Sequence, residues 1–416
     1  MNDILPDEVG SWQRLEDAFR RTVELYGYAE VRTPVVEPTN LFVRSIGENT
    51  DVVEKEMYTF ERHRDSLTLR PEGTAGAARA YVEHKLWTRE PVSRWYYLGP
   101  MFRAERPQRG RYRQFYQAGC EIFGDPGPVC DAEMIDMLCA LFGELGIGDL
   151  EVCIHSIGGP AARERYRAAL RDYLRPHAAE LSEHARARLE VNPLRILDSR
   201  NEGDQKVVAG APAILDVLDE EDRGHFDGLC QALDALGTPY RVDPSLVRGL
   251  DYYTRTLFEI KSSSGGLGAQ NTIAGGGRYD GMVQSLGGTQ VPAIGFAMGL
   301  ERILLAMPEA SPRPDPLVYL APMGIAAQRE ALLLARDVRR RGCRAELDGR
   351  GNSLKSMLRR ADSMGARLCV VIGDAEIDRK VVAVKDLAEH TQDELPRADA
   401  AERIVERLGS AGGGHA

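Results

Sequence analysis

Five arginines, Arg103, Arg106, Arg109, Arg111 and Arg113, fall within eleven residues of one stretch, YYLGPMFRAERPQRGRYRQFYQAGCEIFG, Tyr96 to Gly124. Guanidinium groups at that density suit a polyanion, and phosphate is the obvious candidate. The element that must present them is a long-looped antiparallel hairpin, because two runs rich in aromatic and β-branched residues flank a segment with Pro107 and Gly110. Those two residues block regular pairing, so the arginines converge instead of splaying along a strand. In the second strand, side chains two apart share a face. Phe115, Gln117, Gly119 and Glu121 lie together, and Tyr116, Ala118, Cys120 and Ile122 form the apolar face opposite. A glycine between two polar residues leaves a hollow floored by backbone, suited to a small polar ligand. A merely solvated face would alternate in the same way, but the neighbouring arginines favour a site.

The segment FRAERPQRGRYRQF resembles the second signature motif of class II aminoacyl-tRNA synthetases, and YQAGCEIFG is similar to the histidyl branch of that family. RGLDYYT, Arg248 to Thr254, is the most specific of the histidyl signatures. YGYAEVRTPVVEP resembles the family's first motif, which builds a homodimer interface, and AIGFAMGLERILLAM resembles its third. The resemblance implies ATP-dependent attachment of L-histidine to tRNA(His) through a histidyl-adenylate, with Mg2+ accompanying the triphosphate and no other metal. It implies catalytic roles for Arg103 and Arg248 at the α-phosphate, with Arg248 also bridging to the substrate carboxylate. Arg111 and Arg302 fall near the γ-phosphate, Phe115 against adenine, and Glu105 near the adenine edge or the metal. For histidine it implies Glu72, Gly73 and Thr74 of the RPEGT segment and Gln117 at the amino group, Glu121 and Tyr253 at the imidazole nitrogens, and Tyr252 and Tyr279 around the pocket. Read without the family, Glu72 and Thr74 at a helix start are ordinary capping residues, and Arg302 is an exposed helical arginine.

At 416 residues, the chain has room for two or three domains. Neither a basic leader nor an apolar run of spanning length occurs, so a cytoplasmic protein without membrane contact is expected. Seven cysteines without a CxxC pair, and eight histidines without paired ligand spacing, argue against a disulfide framework or a transition-metal site. A net charge of −10 excludes a protein that coats nucleic acid indiscriminately, so a tRNA partner must be held by local patches.

The fold class expected is α+β: a synthetase catalytic domain of antiparallel sheet flanked by helices, with a helical insertion, then a C-terminal α/β anticodon-binding domain. Residues 1–159 form the first part of the catalytic domain, beginning with a helix over Trp12 to Leu25. Alanine, arginine and glutamate runs at helical spacing make 160–236 the insertion; its Arg163, Arg165, Arg167, Arg171 and Arg175 read as a solvated face or a surface for the acceptor arm of tRNA. Residues 237–310 complete the catalytic domain, with GGGRYDG from Gly275 read as a loop. PEASPRPDP is a linker, after which strands at Leu317–Leu320, Arg344–Leu347, Leu368–Ile372 and Val381–Val384 alternate with helices over 315–408. That domain carries 17 Lys and Arg against 16 Asp and Glu, a balance of +1 against −11 for everything before it. Residues 409–416 are expected to be a disordered tail.

Two other readings compete. A synthetase-like regulatory subunit that binds histidine would keep the pocket but has no need for the full arginine set or, usually, for an anticodon domain. A prolyl or threonyl enzyme of the same class is opposed by RGLDYYT and YQAGCE.

Overall fold

The computed structural model describes residues 2–48, 50–105, 110–197, 199, 201–246, 252–267, 271–308 and 317–412. Arg106, Arg109, Arg248 and Asp251 lie outside them. The described residues form two compact units, Met1–Ala310 and Ser311–Ala416 by their outer limits.

The first unit opens with helix α1 (Val9–Leu25), which buries Trp12, Leu15, Phe19 and Val23 at helical spacing. Gly27, at φ +80°, turns the chain where a side chain would be strained. Strands β1 (Ala29–Glu30) and β2 (Val36–Pro38), helix α2 (Thr39–Ile46), strands β3 (Tyr58–Arg62) and β4 (Asp65–Leu69) and helix α3 (Thr74–Glu83) follow. Between Tyr28 and Pro38 the chain thus contributes two short strands. Then come β5 (Ser93–Phe102), β6 (Gln114–Phe123), α4 (Pro128–Glu144) and β7 (Leu150–Ser156), and after them helices α5 (Pro160–Leu174), α6 (Glu183–Arg188), α7 (Glu202–Val208) and α8 (Glu220–Leu236). The unit closes with β8 (Arg241–Val242), β9 (Thr254–Ser262), β10 (Thr272–Arg278), α9 (Met282–Ser285), β11 (Ala293–Gly299) and α10 (Leu300–Ala306).

Eight strands make one sheet in the order β1-β5-β6-β11-β10-β9-β7-β8. Every pair from β5 to β7 is antiparallel, and only the two short edge strands join in parallel. One sheet face carries α1, α4 and α8, whose apolar stripes meet Tyr96, Ala118, Cys120, Ile122, Phe258 and Ile260 in the main core. The expected helical block 160–236 therefore divides. Its last helix, α8, packs on α4 and puts Phe226, Leu229 and Leu233 into the main core, while α5 to α7 gather around a separate apolar cluster.

The GGG segment differs from the expectation of a loop. Gly275, Gly276 and Gly277 lie inside β10, paired with Ala297, Phe296 and Gly295 on β11. Crowding explains why glycines occupy a central strand here: a Cβ at Gly276 would sit 2.2 Å from the Gly295 carbonyl oxygen and one at Gly277 2.3 Å from that of Thr256.

Next to those glycines is a fully buried arginine. The Arg278 guanidinium bonds both carboxylate oxygens of Asp131, at 2.7 Å to Oδ1 and 3.0 Å to Oδ2, and donates to the backbone carbonyls of Asp125 and Gly127. His225 Nε2 lies 2.9 Å from Asp131 Oδ2, and the Thr256 hydroxyl donates to the same oxygen. Burial alone would push the Asp131 carboxyl up, but His225 and Arg278 more than offset that and hold it below the usual carboxylate range. This network ties α4, α8, β9 and β10 together. Arg278→Met strands the Asp131 charge, so we expect a loss of about 3–5 kcal/mol in denaturant unfolding, against a loss below about 1 kcal/mol if the pair were dispensable.

The second unit is a five-stranded sheet, β13-β12-β14-β15-β16, formed by β12 (Leu317–Pro322), β13 (Arg344–Leu347), β14 (Ala366–Ile372), β15 (Val381–Asp386) and β16 (Thr391–Pro396). The first three are parallel, β15 and β16 antiparallel. Helices α11 (Ile325–Arg339), α12 (Leu354–Ser363), α13 (Asp374–Asp378) and α14 (Ala400–Gly412) complete it. Strand β16 was not expected; its pattern is almost wholly exposed, as an edge strand's can be. The chain also stays helical to Gly412, past the expected start of a disordered tail at Gly409.

Candidate active site

The hairpin β5–β6 pairs Trp95 with Glu121, Tyr97 with Gly119, Gly99 with Gln117 and Met101 with Phe115. As alternation predicts, Ala118, Cys120 and Ile122 are core residues, while Gln117, Gly119 and Glu121 share the other face. Across β11, β10 and β9, that face continues from Glu121 through Gly295, Gly277 and Leu257, and from Gly119 through Ala297, Gly275 and Glu259. Small residues keep the middle of the sheet bare, and above it lies a cavity of about 150 Å³. Glu72, Thr74, Gln117, Tyr252, Tyr253 and Tyr279 line it, with Arg103 at its wall.

Behind two of the lining residues, Tyr279 and Gly295, stands Glu121, which does not itself line the cavity. Glu121 is fully buried, and Tyr279 donates its hydroxyl to Glu121 Oε2 at 2.5 Å. A Cβ at Gly295 would fall 1.6 Å from that oxygen, so only glycine leaves room for the carboxyl. Burial pushes Glu121 up to about 8, against the pull of the Tyr279 and Thr74 hydroxyls. Among the described residues, Glu121 Oε1 and the Tyr97 hydroxyl are buried without a hydrogen-bond partner. Unpaired polar atoms of this kind are costly, so a ligand able to reach them would gain by pairing them. Sequence reasoning missed Tyr97; the signal was the alternation of β5, which puts it opposite Gly119 once the register is known.

On the opposite wall, Glu72 is buried and its two oxygens accept from the backbone N–H groups of Thr74 and Ala75, at 2.7 and 2.8 Å. Glu72 thus caps α3, as the plain reading of RPEGT predicts, and also lines the cavity. The Gly73 N–H donates to Gln117 Oε1 at 3.2 Å, which fixes the amide and ties the α3 start to β6. A Cβ at Gly73 would lie 2.2 Å from the Tyr97 ring, so glycine is required for that approach.

The described arginines gather at the hairpin's end. Arg103 donates from Nε to the Pro71 carbonyl at 2.9 Å, and its guanidinium carbon lies 5.5 Å from the Phe115 ring centroid. Glu105 sits between two of them, 3.8 Å from Arg103 Nη1 and 3.1 Å from Arg111 Nη1. Arg302 is not the solvated arginine of an ordinary helix. Its Nη1 donates to the Thr272 carbonyl at 2.8 Å, and burial and nearby Arg111 lower its pKa. Glu259, absent from the sequence-derived set, shares this sheet face and accepts from Thr272 at 3.2 Å. Arg103, Glu105, Arg111, Phe115 and Arg302 therefore form one group, whereas Arg113 is exposed. Arg248 falls outside the described residues. Among the described residues no set of three or more His, Cys, Asp or Glu side chains is placed to hold a metal ion.

The chain's other arginine run is largely spent on its own surface. Arg175 pairs with Glu190, Arg167 with Glu164 and Arg165 with Asp219. Such exposed pairs contribute little each.

A motif hairpin presenting arginines over an antiparallel sheet, with a glycine-floored pocket beside them and a separate α/β unit after it, defines a class II aminoacyl-tRNA synthetase. Comparison with known proteins narrows this. Residues 1–303 match the family model for histidyl-tRNA synthetase, and residues 317–407 that for an anticodon-binding domain. The chain is 62% identical over 407 residues to a histidine–tRNA ligase of Sorangium cellulosum, covering 98% of this chain and 95% of that one. It is 47% identical to the corresponding ligase of Halothermothrix orenii, covering 97% of each. The crystal structure of apo histidyl-tRNA synthetase from S. aureus superposes with a TM-score of 0.82 at 34% identity, covering 97% of both chains. The chain belongs to the histidyl-tRNA synthetase family.

Proposed function

We propose that the chain activates L-histidine with ATP and transfers it to tRNA(His), releasing diphosphate and then AMP. In the first step, a histidine carboxylate oxygen bonds to the α-phosphorus as the bond to diphosphate breaks. Both reactants are anionic, so fixed cations must neutralise the charge that builds on the phosphoryl oxygens. Arg103 serves the α-phosphate and Arg248 bridges it to the substrate carboxylate. Arg111 and Arg302 hold the γ-phosphate, Phe115 stacks on adenine, and Glu105 orients the arginines beside the adenine edge or the metal. Mg2+ would accompany the triphosphate, with Glu105 as the carboxylate nearest to it, and would neutralise charge on the phosphoryl oxygens. In the second step, a terminal ribose hydroxyl of tRNA attacks the acyl carbon and AMP leaves.

Histidine occupies the cavity with its ammonium group against Glu72, Gly73, Thr74 and Gln117 and its imidazole toward Glu121 and Tyr253, with Tyr252 and Tyr279 closing the sides. The observation that carries this reading is the juxtaposition of acidic and amide groups at the cavity with Arg103 at its wall. ATP–pyrophosphate exchange, measured without tRNA against all twenty amino acids, tests it: histidine alone should support exchange, and equal support by any other amino acid rejects the reading.

The acting form is a cytoplasmic homodimer. Val35 and Val36, within the first-motif segment, and Phe60 of β3 are apolar and exposed, which suits a surface buried by a second copy. No helix among the described residues is long and apolar enough to cross a membrane. Sedimentation should give twice the chain mass at micromolar concentration; a stable, active monomer there would overturn the dimer.

A further inference from the structure

The segment that carries Tyr253 is held from outside the catalytic sheet. Tyr253 and Leu257 pack in one apolar cluster with Tyr166, Leu170 and Leu174 of α5, not in the core beneath the sheet. From the first turn of α5, Arg163 donates from Nη1 to the Tyr253 carbonyl oxygen at 2.7 Å. Two residues on, Arg255 adopts φ +48°, a conformation a non-glycine residue takes only when its surroundings impose it. It stands at an irregularity in the β9–β10 register, where Gly277 pairs with Leu257 but Arg278 with Thr254. Irregularities of this kind re-aim side chains next to sites. The Arg255 backbone is bonded on both sides to the chain entering α5, its N–H to the Gly158 carbonyl and its carbonyl to the Ile157 N–H, each at 2.9 Å. Its Nε binds Asp222 Oδ1 at 2.9 Å, while Asp222 Oδ2 accepts from the Gly159 N–H at 2.7 Å. Tyr252 in turn lies tilted against Tyr253, with centroids 4.5 Å apart, and meets Tyr279 edge-on at 5.7 Å.

We infer that Arg163 is a positioning residue for histidine recognition: through the Tyr253 carbonyl, the inserted helix α5 sets where the imidazole-reading tyrosine stands. The inference rests on the reading that Tyr253 faces the imidazole. Arg163 acts through the Tyr253 carbonyl, on the histidine side of the cavity, so its loss should move the histidine KM and not the ATP KM.

The test is exchange kinetics on the full chain, varying histidine and ATP separately, with histidine binding measured directly by calorimetry. Arg163→Met should raise the histidine KM roughly ten- to a hundredfold, the range one charge-assisted hydrogen bond is worth, and leave the ATP KM unchanged. Arg163→Lys, which keeps a donor, should recover part of the affinity. Tyr166→Phe removes the bond from Tyr166 to the Pro212 carbonyl (3.0 Å) and loosens the same helix block; it should lower Tm without moving the histidine KM. Should Arg163→Met not fold, Arg163→Gln is measured in the same way, and an unchanged histidine KM rejects the inference. A fall in kcat alone, or equal rises in both KM values, also rejects it. Tyr253→Phe separates the two claims. A normal histidine KM in that variant rejects the pocket assignment, whereas a raised value there with a normal one in Arg163→Met rejects the role of Arg163 alone.

Discussion

Replacing Arg103 by alanine should lower ATP–pyrophosphate exchange by ~100- to 1000-fold, the usual cost of removing one preorganised donor from a site of charge development. The structure explains why the loss should be in rate. Arg103 is held before any ligand arrives: Nε is spent on the Pro71 carbonyl, the guanidinium lies over Phe115, and Glu105 sits 3.8 Å from Nη1. A planar fork can satisfy a backbone carbonyl and a phosphoryl oxygen together; a lysine ammonium on a flexible stem is a weaker substitute for both. Arg103→Lys should therefore remain well below wild type although the charge is kept. The same loss is expected for Arg248→Ala, with the fold unaffected in both. Exchange within severalfold of wild type for either alanine variant would remove that arginine from the α-phosphate.

The second large effect concerns selectivity. Glu121, Gln117 and the tyrosines offer hydrogen bonds at the cavity and beneath it, and phenylalanine, similar in shape to histidine, can answer none of those meant for the imidazole. A site left with its own polar groups unpaired can reject such an isostere by ~10⁴- to 10⁵-fold without editing. Glu121→Ala should collapse that ratio and raise the histidine KM far more than the ATP KM. Unchanged values would mean that Glu121, sealed under Gly295 and Tyr279, serves only the fold. The carboxyl also imposes a pH profile. Its ionisation near 8 means that the free site is protonated at neutral pH, while free imidazole, near 6.5, is mostly neutral. The bound pair shares one proton. Between about 6.5 and 8 the separate partners already hold that one proton, so binding exchanges none. Below this window the partners together carry two protons and binding must release one, so affinity falls as pH falls; above it they carry none and binding must take one up, so affinity falls as pH rises. The histidine KM should be lowest in that window, and Glu121→Gln should lose the rise near pH 8. An alkaline limb that persists unaltered in Glu121→Gln would assign it to another group.

Much of this was determined by the sequence alone. The hairpin, the two faces of β6, α1 and the strand–helix alternation of the second unit follow from periodicities and breakers that act over a few residues, because a strand or an amphipathic helix is written within its own length. The same holds for the capping role of Glu72, which needs only the backbone N–H groups of Thr74 and Ala75. What the tertiary structure decided depends on partners distant in sequence. Gly275 to Gly277 look like a turn until β11 and β9 close on either side and leave no room for a Cβ at Gly276 or Gly277. Arg278 looks like a solvent-facing charge until Asp131, 147 residues away, meets it in the core. Helix α8 is compositionally part of the helical block, yet its apolar face fits α4 better than α5 to α7, and no local pattern records which neighbour a stripe will meet. Glu121 could be assigned a face by alternation, but not a depth. Its burial, its bond to Tyr279 and its raised pKa arise only when four strands are brought together with glycines between them, since desolvation is a property of what surrounds a group and not of the group itself.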